Sequence, residues 1–284
     1  MIKDAAGPGV ARPGTAGPAT AGLDAGSPGT GSPGTAGLDA GSPGTGSRAA
    51  AEGGLSLSAG LRDRSDRVWA GLHAHPFLRE LARGVLPLEK FRFFIEQDIL
   101  YLPDFARCIA MGAAKAATET ELGFFAKQLD GTINLELPNQ RRVLDQVCRL
   151  GAADRGGALG KAPANVAYTS FLLGVAGQGG PLEIMAAILP CAWSYVEIAG
   201  RLAGEIADHP VYADWVSFYL TEEVLGLVRQ MRESFDAMAV RDSPGPELRR
   251  RLAEIFMTSS RLEGAFWDMA YTIDQWPDLS DSRP

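Results

Sequence analysis

The stretch LEKFRFFIEQDILYLPDFARCIAMGAAKAA, residues 88–117, decides the fold class of this chain. Its apolar residues recur every three or four positions, the spacing that places them along one face of an α-helix. Such a face has to be covered by other parts of the chain, so the stretch predicts a long helix in a packed helical domain. The face is formed by Phe91, Phe94, Ile95, Leu102, Phe105 and Ile109.

The same helical period continues on both sides of this stretch, and no segment alternates convincingly in the manner of a β-strand. Gly, Pro and Ser residues separate the periodic segments. We therefore predict an all-α fold, with one bundle-like domain over residues 55–284. The predicted helices are 58–83, 88–117, 119–150, 163–177, 181–207, 212–239 and 245–273.

Residues 1–54 have a different composition, rich in Gly, Pro, Ser, Thr and Ala, and the segment AGLDAGSPGTGS occurs twice, at 21–32 and 36–47. This segment has few large aliphatic side chains. It therefore cannot bury enough apolar surface to offset the entropy cost of ordering the chain. We expect a disordered, low-complexity tail that takes no part in the helical domain.

Composition and charge exclude several classes of partner. The chain has a net charge of −7 and an isoelectric point near 5.1, so it lacks the basic surface that binds nucleic acid or an anionic membrane. No secretory signal and no run of about 18 to 20 apolar residues is found, and we expect a cytoplasmic protein. The three cysteines, Cys108, Cys148 and Cys191, are too few and too scattered for a disulfide scaffold, so reduced thiols are expected.

Asp98 is the first polar residue on an apolar helix face. It follows Phe94 by four residues and Ile95 by three, so its carboxyl group is expected to point inward, where it must be paired or functional. Tyr101 follows one turn later, and Pro103 is expected to kink the helix beside the acid. A buried structural Asp satisfied by its neighbours is the alternative.

Cys191 lies in the segment LPCAWSY, residues 189–195, directly after Pro190. Tyr195 is four residues further on and therefore on the same helix face, so the thiol and the phenol are expected to face one cavity. Taken alone, Cys191 is more often an inert core residue, and Cys108 and Cys148 are interpreted in that way.

Glu263 lies on the apolar stripe of the last helix, three residues before Phe266 and seven after Phe256. Phe266 and Trp267 are expected to keep water from this carboxyl group, which raises its pKa and makes it a plausible proton donor near neutral pH. A salt bridge to a buried Arg is the alternative.

No metal site is predicted. His73 and His75 are two residues apart, which places them on different faces of a helix, so a shared metal ion is improbable.

Five segments together resemble one known family, the TenA/THI-4 proteins with thiaminase II activity. The resemblance covers about residues 60–273, nearly the whole domain and none of the tail. It implies a haem-oxygenase-like helical bundle and a homotetramer. The segments are WAGLHAHPFLRELARGVLPLEKFRFFIEQDILYLPDFARCIAMGAAKA (69–116), AYTSFLLGVA (167–176), LPCAWSY (189–195), DWVSFYLTEE (214–223) and SSRLEGAFWDMAY (259–271).

The resemblance also implies a reaction. It is the hydrolysis of 4-amino-5-aminomethyl-2-methylpyrimidine, with thiamine as a further substrate, to 4-amino-5-hydroxymethyl-2-methylpyrimidine in thiamine salvage, without a metal or organic cofactor. In this scheme Cys191 is the nucleophile and Glu263 the proton donor. Asp98 holds the aminopyrimidine, and Tyr101 tunes the thiol. The residues expected to line the substrate pocket are Tyr168, Tyr195 and Tyr219.

One position departs from the family pattern. Family members commonly carry Tyr before the catalytic Glu, whereas this chain has Leu262. The difference concerns the fine shape of the pocket or the placement of Glu263 more than the reaction.

Two other functions remain open at this point. A haem-binding or haem-degrading protein of the same fold would use His73 or His75 as the iron ligand, since a fold alone permits several functions. A non-catalytic regulator would bind a pyrimidine without turnover.

Overall fold

The computed structural model describes residues 56–152 and 160–277, where the regular elements are helices and no strand occurs. The prediction of an all-α fold is confirmed. The tail predicted to be disordered lies outside the described residues. The elements are α1 (Leu57–Arg64), α2 (Asp66–His73), α3 (Pro76–Ala82), α4 (Leu88–Lys115), α5 (Glu119–Asp130), a π-helical segment (Gly131–Glu136), α6 (Leu137–Arg149), α7 (Pro163–Gln178), α8 (Pro181–Leu202), α9 (Pro210–Phe218), α10 (Glu222–Asp242) and α11 (Pro246–Thr272).

Three of the predicted helices are divided in the structure. The segment 58–83 forms α1, α2 and α3, and Pro76 begins α3 at a position where its missing N–H costs nothing, with the His75 side chain capping the first turn. The segment 212–239 is divided at Thr221, whose side chain accepts a hydrogen bond from the first turn of α10. Periodicity alone does not detect such capping signals inside an apolar stretch.

The third divided helix, predicted over 119–150, contains the π-helical segment between α5 and α6. A π-turn holds more residues than an α-turn, so it rotates the following side chains away from the regular helical face. Gly131 begins this segment, and a Cβ there would lie 2.6 Å from Leu227 Cδ1 of α10. A larger residue at this position would therefore require the Leu227 side chain to move.

Helix α4 lies at the centre of the domain and packs against α5, α6, α7, α8 and α11. On its inner face, the Phe94 ring stacks on Trp267 of α11 with ring centroids 4.8 Å apart and meets the edge of Trp215 of α9 at 5.6 Å. Aromatic pairs of this kind contribute about 0.5–1.5 kcal/mol each beyond their burial. They hold α4, α9 and α11 in fixed relative positions.

Helix α8 is strongly apolar. An 18-residue window in it has a hydropathy of 1.4, which by length and composition alone would suffice to cross a membrane. However, 72% of that window is buried inside the protein, where α8 packs against α4, α7, α10 and α11. The apolar character of α8 is that of a core helix.

Candidate active site

A cavity lies between helices α4, α8, α9 and α10 and the π-helical segment. The centres of water molecules can occupy about 60 Å³ of it, and about 620 Å³ of empty space lies between its walls when the open mouth is counted. Apolar side chains form most of its wall, and four of the seven residues predicted for the site contribute to it. The carboxyl, thiol and phenol groups on the wall are those of Asp98, Glu136, Cys191, Tyr195 and Tyr219.

Asp98 on α4 is 5% exposed, as its place on the apolar face predicted. Gln140 of α6 donates from Nε2 both to Asp98 Oδ2 at 2.7 Å and to the Tyr219 hydroxyl at 2.9 Å. Burial raises the pKa of Asp98 well above its usual range, and the charges of Glu136 and Glu263 raise it further, whereas the Gln140 hydrogen bond lowers it. Asp98 therefore favours its protonated form, which can donate to a ligand as well as accept from one.

Cys191 on α8 is half-buried, and its side chain faces the cavity. Burial raises the pKa of its thiol well above the usual range, and the charges of Glu263 and Glu136 raise it further. The thiolate is the reactive form of cysteine, so the resting thiol needs a base before it can act as a nucleophile. Glu263 contacts the thiol and can serve as this base.

Tyr101 is buried on α4 and does not line the cavity. Its hydroxyl makes no hydrogen bond of regular geometry within the described residues, yet its contact with the Cys191 thiol lowers the pKa of that thiol. This effect offsets part of the increase in the pKa of Cys191 that burial and the nearby carboxylates cause. The role of Tyr101 in tuning the thiol stays a prediction.

Glu263 on α11 is 2% exposed and does not form part of the cavity wall. Its Oε1 lies 2.6 Å from the Tyr168 hydroxyl, and that hydroxyl lies 2.9 Å from Ser259 Oγ. Ser259 in turn donates to the backbone carbonyl of Ala187 at 2.6 Å. Burial raises the pKa of Glu263 to about 7, although its contacts with Tyr168 and Cys191 lower it.

The proton on Glu263 sets the direction of this chain of hydrogen bonds. When Glu263 is ionised, Tyr168 donates to it, and no hydrogen remains for the contact between Tyr168 and Ser259. When Glu263 is protonated, it can donate to Tyr168, which then donates to Ser259. Every oxygen of the chain is then satisfied. The chain can thus accommodate both forms of Glu263, as a group that exchanges protons near neutral pH requires.

The three tyrosines expected on the pocket wall take different places. Tyr195 and Tyr219 line the cavity, with ring centroids 5.1 Å apart. Tyr168 does not, because its hydroxyl is engaged with Glu263 and Ser259 behind the wall. Leu262 is partly buried against the core and also lies off the wall.

Sequence reasoning missed two residues of the site, Glu136 and Gln140. Both lie in the segment predicted as one regular helix over 119–150, whereas the π-turn directs Glu136 into the cavity. Burial raises the pKa of Glu136 to about 7. The Tyr219 hydroxyl donates to Glu136 Oε1 at 3.3 Å, which links Glu136 through Gln140 to Asp98. The spacing of Glu136 and Gln140, four residues apart, was the available signal.

The histidines lie away from this cavity. His73 Nε2 is 3.5 Å from Glu197 Oε2, and burial lowers the pKa of His73 to about 4. His75 Nε2 is 3.1 Å from Asp268 Oδ1. Within the described residues, no group of three or more His, Cys, Asp or Glu side chains could hold a metal ion.

Glu263→Gln is expected to stabilise the ligand-free protein at about pH 8. Because the pKa of this carboxyl group rises from 4.5 to about 7 on folding, its contribution to stability is full below pH 4.5 and is lost as the pH rises through 7. Glutamine does not ionise and avoids this loss. We expect the variant to have a higher Tm than the wild type by at least about 2 °C at pH 8, and a smaller difference at pH 5. A lower Tm at both pH values would contradict this account of Glu263.

Two relatives with known names cover the helical domain. An aminopyrimidine aminohydrolase of Halalkalibacterium halodurans is 37% identical over 225 residues, which are 78% of this chain and 98% of that protein. An aminopyrimidine aminohydrolase of Bacillus subtilis is 30% identical over 79% of this chain and 93% of its own length.

A solved structure has the same fold. The TenA homologue protein from P. horikoshii OT3 matches with a TM-score of 0.67 and 33% sequence identity, over 77% of this chain and 99% of that one. The model of one protein family matches residues 62–273, a range that contains every residue of the site described above. The chain belongs to the TENA/THI-4/PQQC family.

Proposed function

We propose that this protein is an aminopyrimidine aminohydrolase, a thiaminase II of thiamine salvage. It hydrolyses 4-amino-5-aminomethyl-2-methylpyrimidine, and thiamine as a second substrate, to 4-amino-5-hydroxymethyl-2-methylpyrimidine. The observation that carries the proposal is that Asp98 and Cys191 line one cavity, while Glu263, buried behind its wall, contacts the Cys191 thiol. The two named relatives support the same reaction class.

Asp98 binds the edge of the aminopyrimidine ring. In its protonated form it donates to a ring nitrogen, which is an acceptor, and accepts from the neighbouring amino group, which is a donor. Gln140 holds the carboxyl group in place through the 2.7 Å hydrogen bond. The flat ring stacks on the aromatic wall formed by Tyr195 and Tyr219, which also excludes water.

Cys191 and Glu263 perform the covalent steps. Glu263 takes the thiol proton, and the thiolate adds to the ring carbon next to the one that carries the substituent, while Asp98 protonates the ring nitrogen that receives the electron pair. The C–N bond of the substituent then breaks, and Glu263 returns its proton to the departing nitrogen where this is uncharged. Water adds to the methylene carbon, and its second proton passes to Glu263 where that group is ionised and otherwise to solvent. The ring nitrogen gives its proton back to Asp98, the thiolate leaves the ring carbon, and Glu263 reprotonates it. The scheme uses side chains and water alone.

The decisive test is turnover by the purified chain. Incubation with the aminomethylpyrimidine should release ammonia, and incubation with thiamine should release the thiazole. Absence of both products would reject the proposed function. Binding of either pyrimidine without turnover would point to a regulator, and a Soret band on addition of haem would point to a haem protein.

Asp98→Asn is expected to lower kcat/KM by about 10²-fold or more, because an amide cannot supply the proton to the ring nitrogen. Asp104→Asn is the matched control, since Asp104 lies on the same helix but pairs with Lys161 and Arg107 outside the cavity. Steady-state kinetics of both variants check the prediction. Equal activities of the two variants would remove Asp98 from the mechanism.

We extend the proposal to a homotetramer that acts in the cytoplasm. The family membership supports the homotetramer. The acidic composition and the small number of cysteines support the cytoplasm. The molar mass in solution, measured by light scattering during size-exclusion chromatography, tests the oligomeric state.

A further inference from the structure

The carboxyl groups at the cavity have no basic partner among the described residues. Asp98 and Glu136 both line it, Glu263 lies next to it, and within the described residues no Lys, Arg or His contributes to its wall. A carboxylate held away from water is costly unless a positive group accompanies it. The protein supplies no such group here, so without a ligand these carboxyl groups favour the protonated form. A cationic ligand would supply the missing positive charge and hold one of them ionised.

Glu136 is the carboxyl group best placed to meet that charge. It is half-buried and lines the cavity at the end of the π-helical segment. Its Oε1 accepts one long hydrogen bond from Tyr219, at 3.3 Å, and its Oε2 accepts none from the described residues. Glu263, by contrast, is engaged with Tyr168 and Cys191 behind the wall.

The chemistry of the substrate requires a group at this position. The ring carbon that carries the leaving substituent lies between the carbon with the amino group, which Asp98 binds, and the carbon that Cys191 attacks. A residue that serves the substituent must therefore be near both Asp98 and Cys191. Glu136 meets this condition, because it lines the same cavity as both residues and is linked to Asp98 by hydrogen bonds through Tyr219 and Gln140.

We propose that Glu136 binds the positively charged substituent of the substrate, either the ammonium of the aminomethylpyrimidine or the thiazolium of thiamine. The inference rests on the proposed function and makes Glu136 a specificity-determining residue for charged leaving groups. An ammonium leaves as ammonia, and a thiazolium as neutral thiazole, when the electron pair of the broken C–N bond returns to nitrogen. Neither leaving group needs a further proton. Glu136 therefore binds the charged substituent, and Glu263 carries out the proton transfers with the Cys191 thiol.

The test compares two ligands that differ at the substituent. Binding of 4-amino-5-aminomethyl-2-methylpyrimidine and of the uncharged hydroxymethyl product is measured by calorimetry in a Cys191→Ser parent, where turnover does not interfere. Adding Glu136→Gln should raise Kd for the aminomethyl ligand about tenfold or more, the usual effect of losing a charge-assisted hydrogen bond. Kd for the hydroxymethyl ligand should stay within about twofold. Glu119→Gln, exposed at the start of α5, is the matched control.

Three outcomes would overturn the inference. Equal weakening of both ligands would mean that Glu136 only shapes the cavity. An unchanged Kd for the aminomethyl ligand would mean that Glu136 does not contact the charge. A parent that binds neither ligand would reject the proposed function, and this inference with it, whereas the first two outcomes leave that function intact.

Discussion

Replacing Cys191 by serine is expected to lower kcat for ammonia release from the aminomethylpyrimidine by at least about a thousandfold. The serine hydroxyl is a far weaker acid than the thiol, so Glu263, with a pKa of about 7, cannot generate the alkoxide that would replace the thiolate. The substitution is nearly isosteric and leaves the cavity wall in place. Binding of the hydroxymethyl product should therefore persist while turnover is lost. Single-turnover assays and calorimetry on the same preparation measure the two effects.

Cys148→Ser provides the control for this experiment. Cys148 is exposed and does not line the cavity, so its substitution should leave kcat within about twofold of wild type. If Cys191→Ser retained more than about a tenth of wild-type activity, covalent catalysis by this thiol would be excluded.

Glu263→Gln is expected to lower kcat by about 10²- to 10⁴-fold, the range that loss of a positioned acid or base produces. Glutamine can still accept a hydrogen bond from Tyr168, so the local packing survives, but it cannot take the thiol proton. Product binding should change little because Glu263 is not on the cavity wall. Glu254→Gln is the control, since Glu254 is exposed on the same helix and pairs with Arg250.

The pH profile distinguishes loss of proton transfer from a general structural defect. For the reaction to start, Glu263 must be ionised while Cys191 keeps its proton. The pKa of Glu263 is about 7 and burial holds that of Cys191 far higher, so kcat/KM of the wild type should rise with pH through about 7 and then level off. Glu136 also has a pKa of about 7. The rising limb of the profile therefore reflects the ionisation of both Glu263 and Glu136. Glu263→Gln should remove the part of the rise that Glu263 contributes and leave that of Glu136, and an unchanged limb would contradict the role of Glu263.

Much of the site could be predicted because a polar residue on an apolar helical stripe must face the interior. Asp98 and Glu263 were located in this way, and both are buried in the structure. Cys191 had no such signal, since a lone thiol is compatible with an ordinary core, and only the family resemblance gave it a role. Glu136 was missed because the regular period of an α-helix does not hold through a π-turn.

The sequence by itself determined the helical class, the inward placement of the two acids and the family, because the helical period and the family motifs are local properties of the chain. Only the tertiary structure decided which side chains share the cavity. It brought Glu136 and Gln140 to Asp98, and it placed Tyr168 against Glu263 instead of on the wall. The pKa values follow from the same cause, since the burial and charge that raise them come from helices distant in sequence.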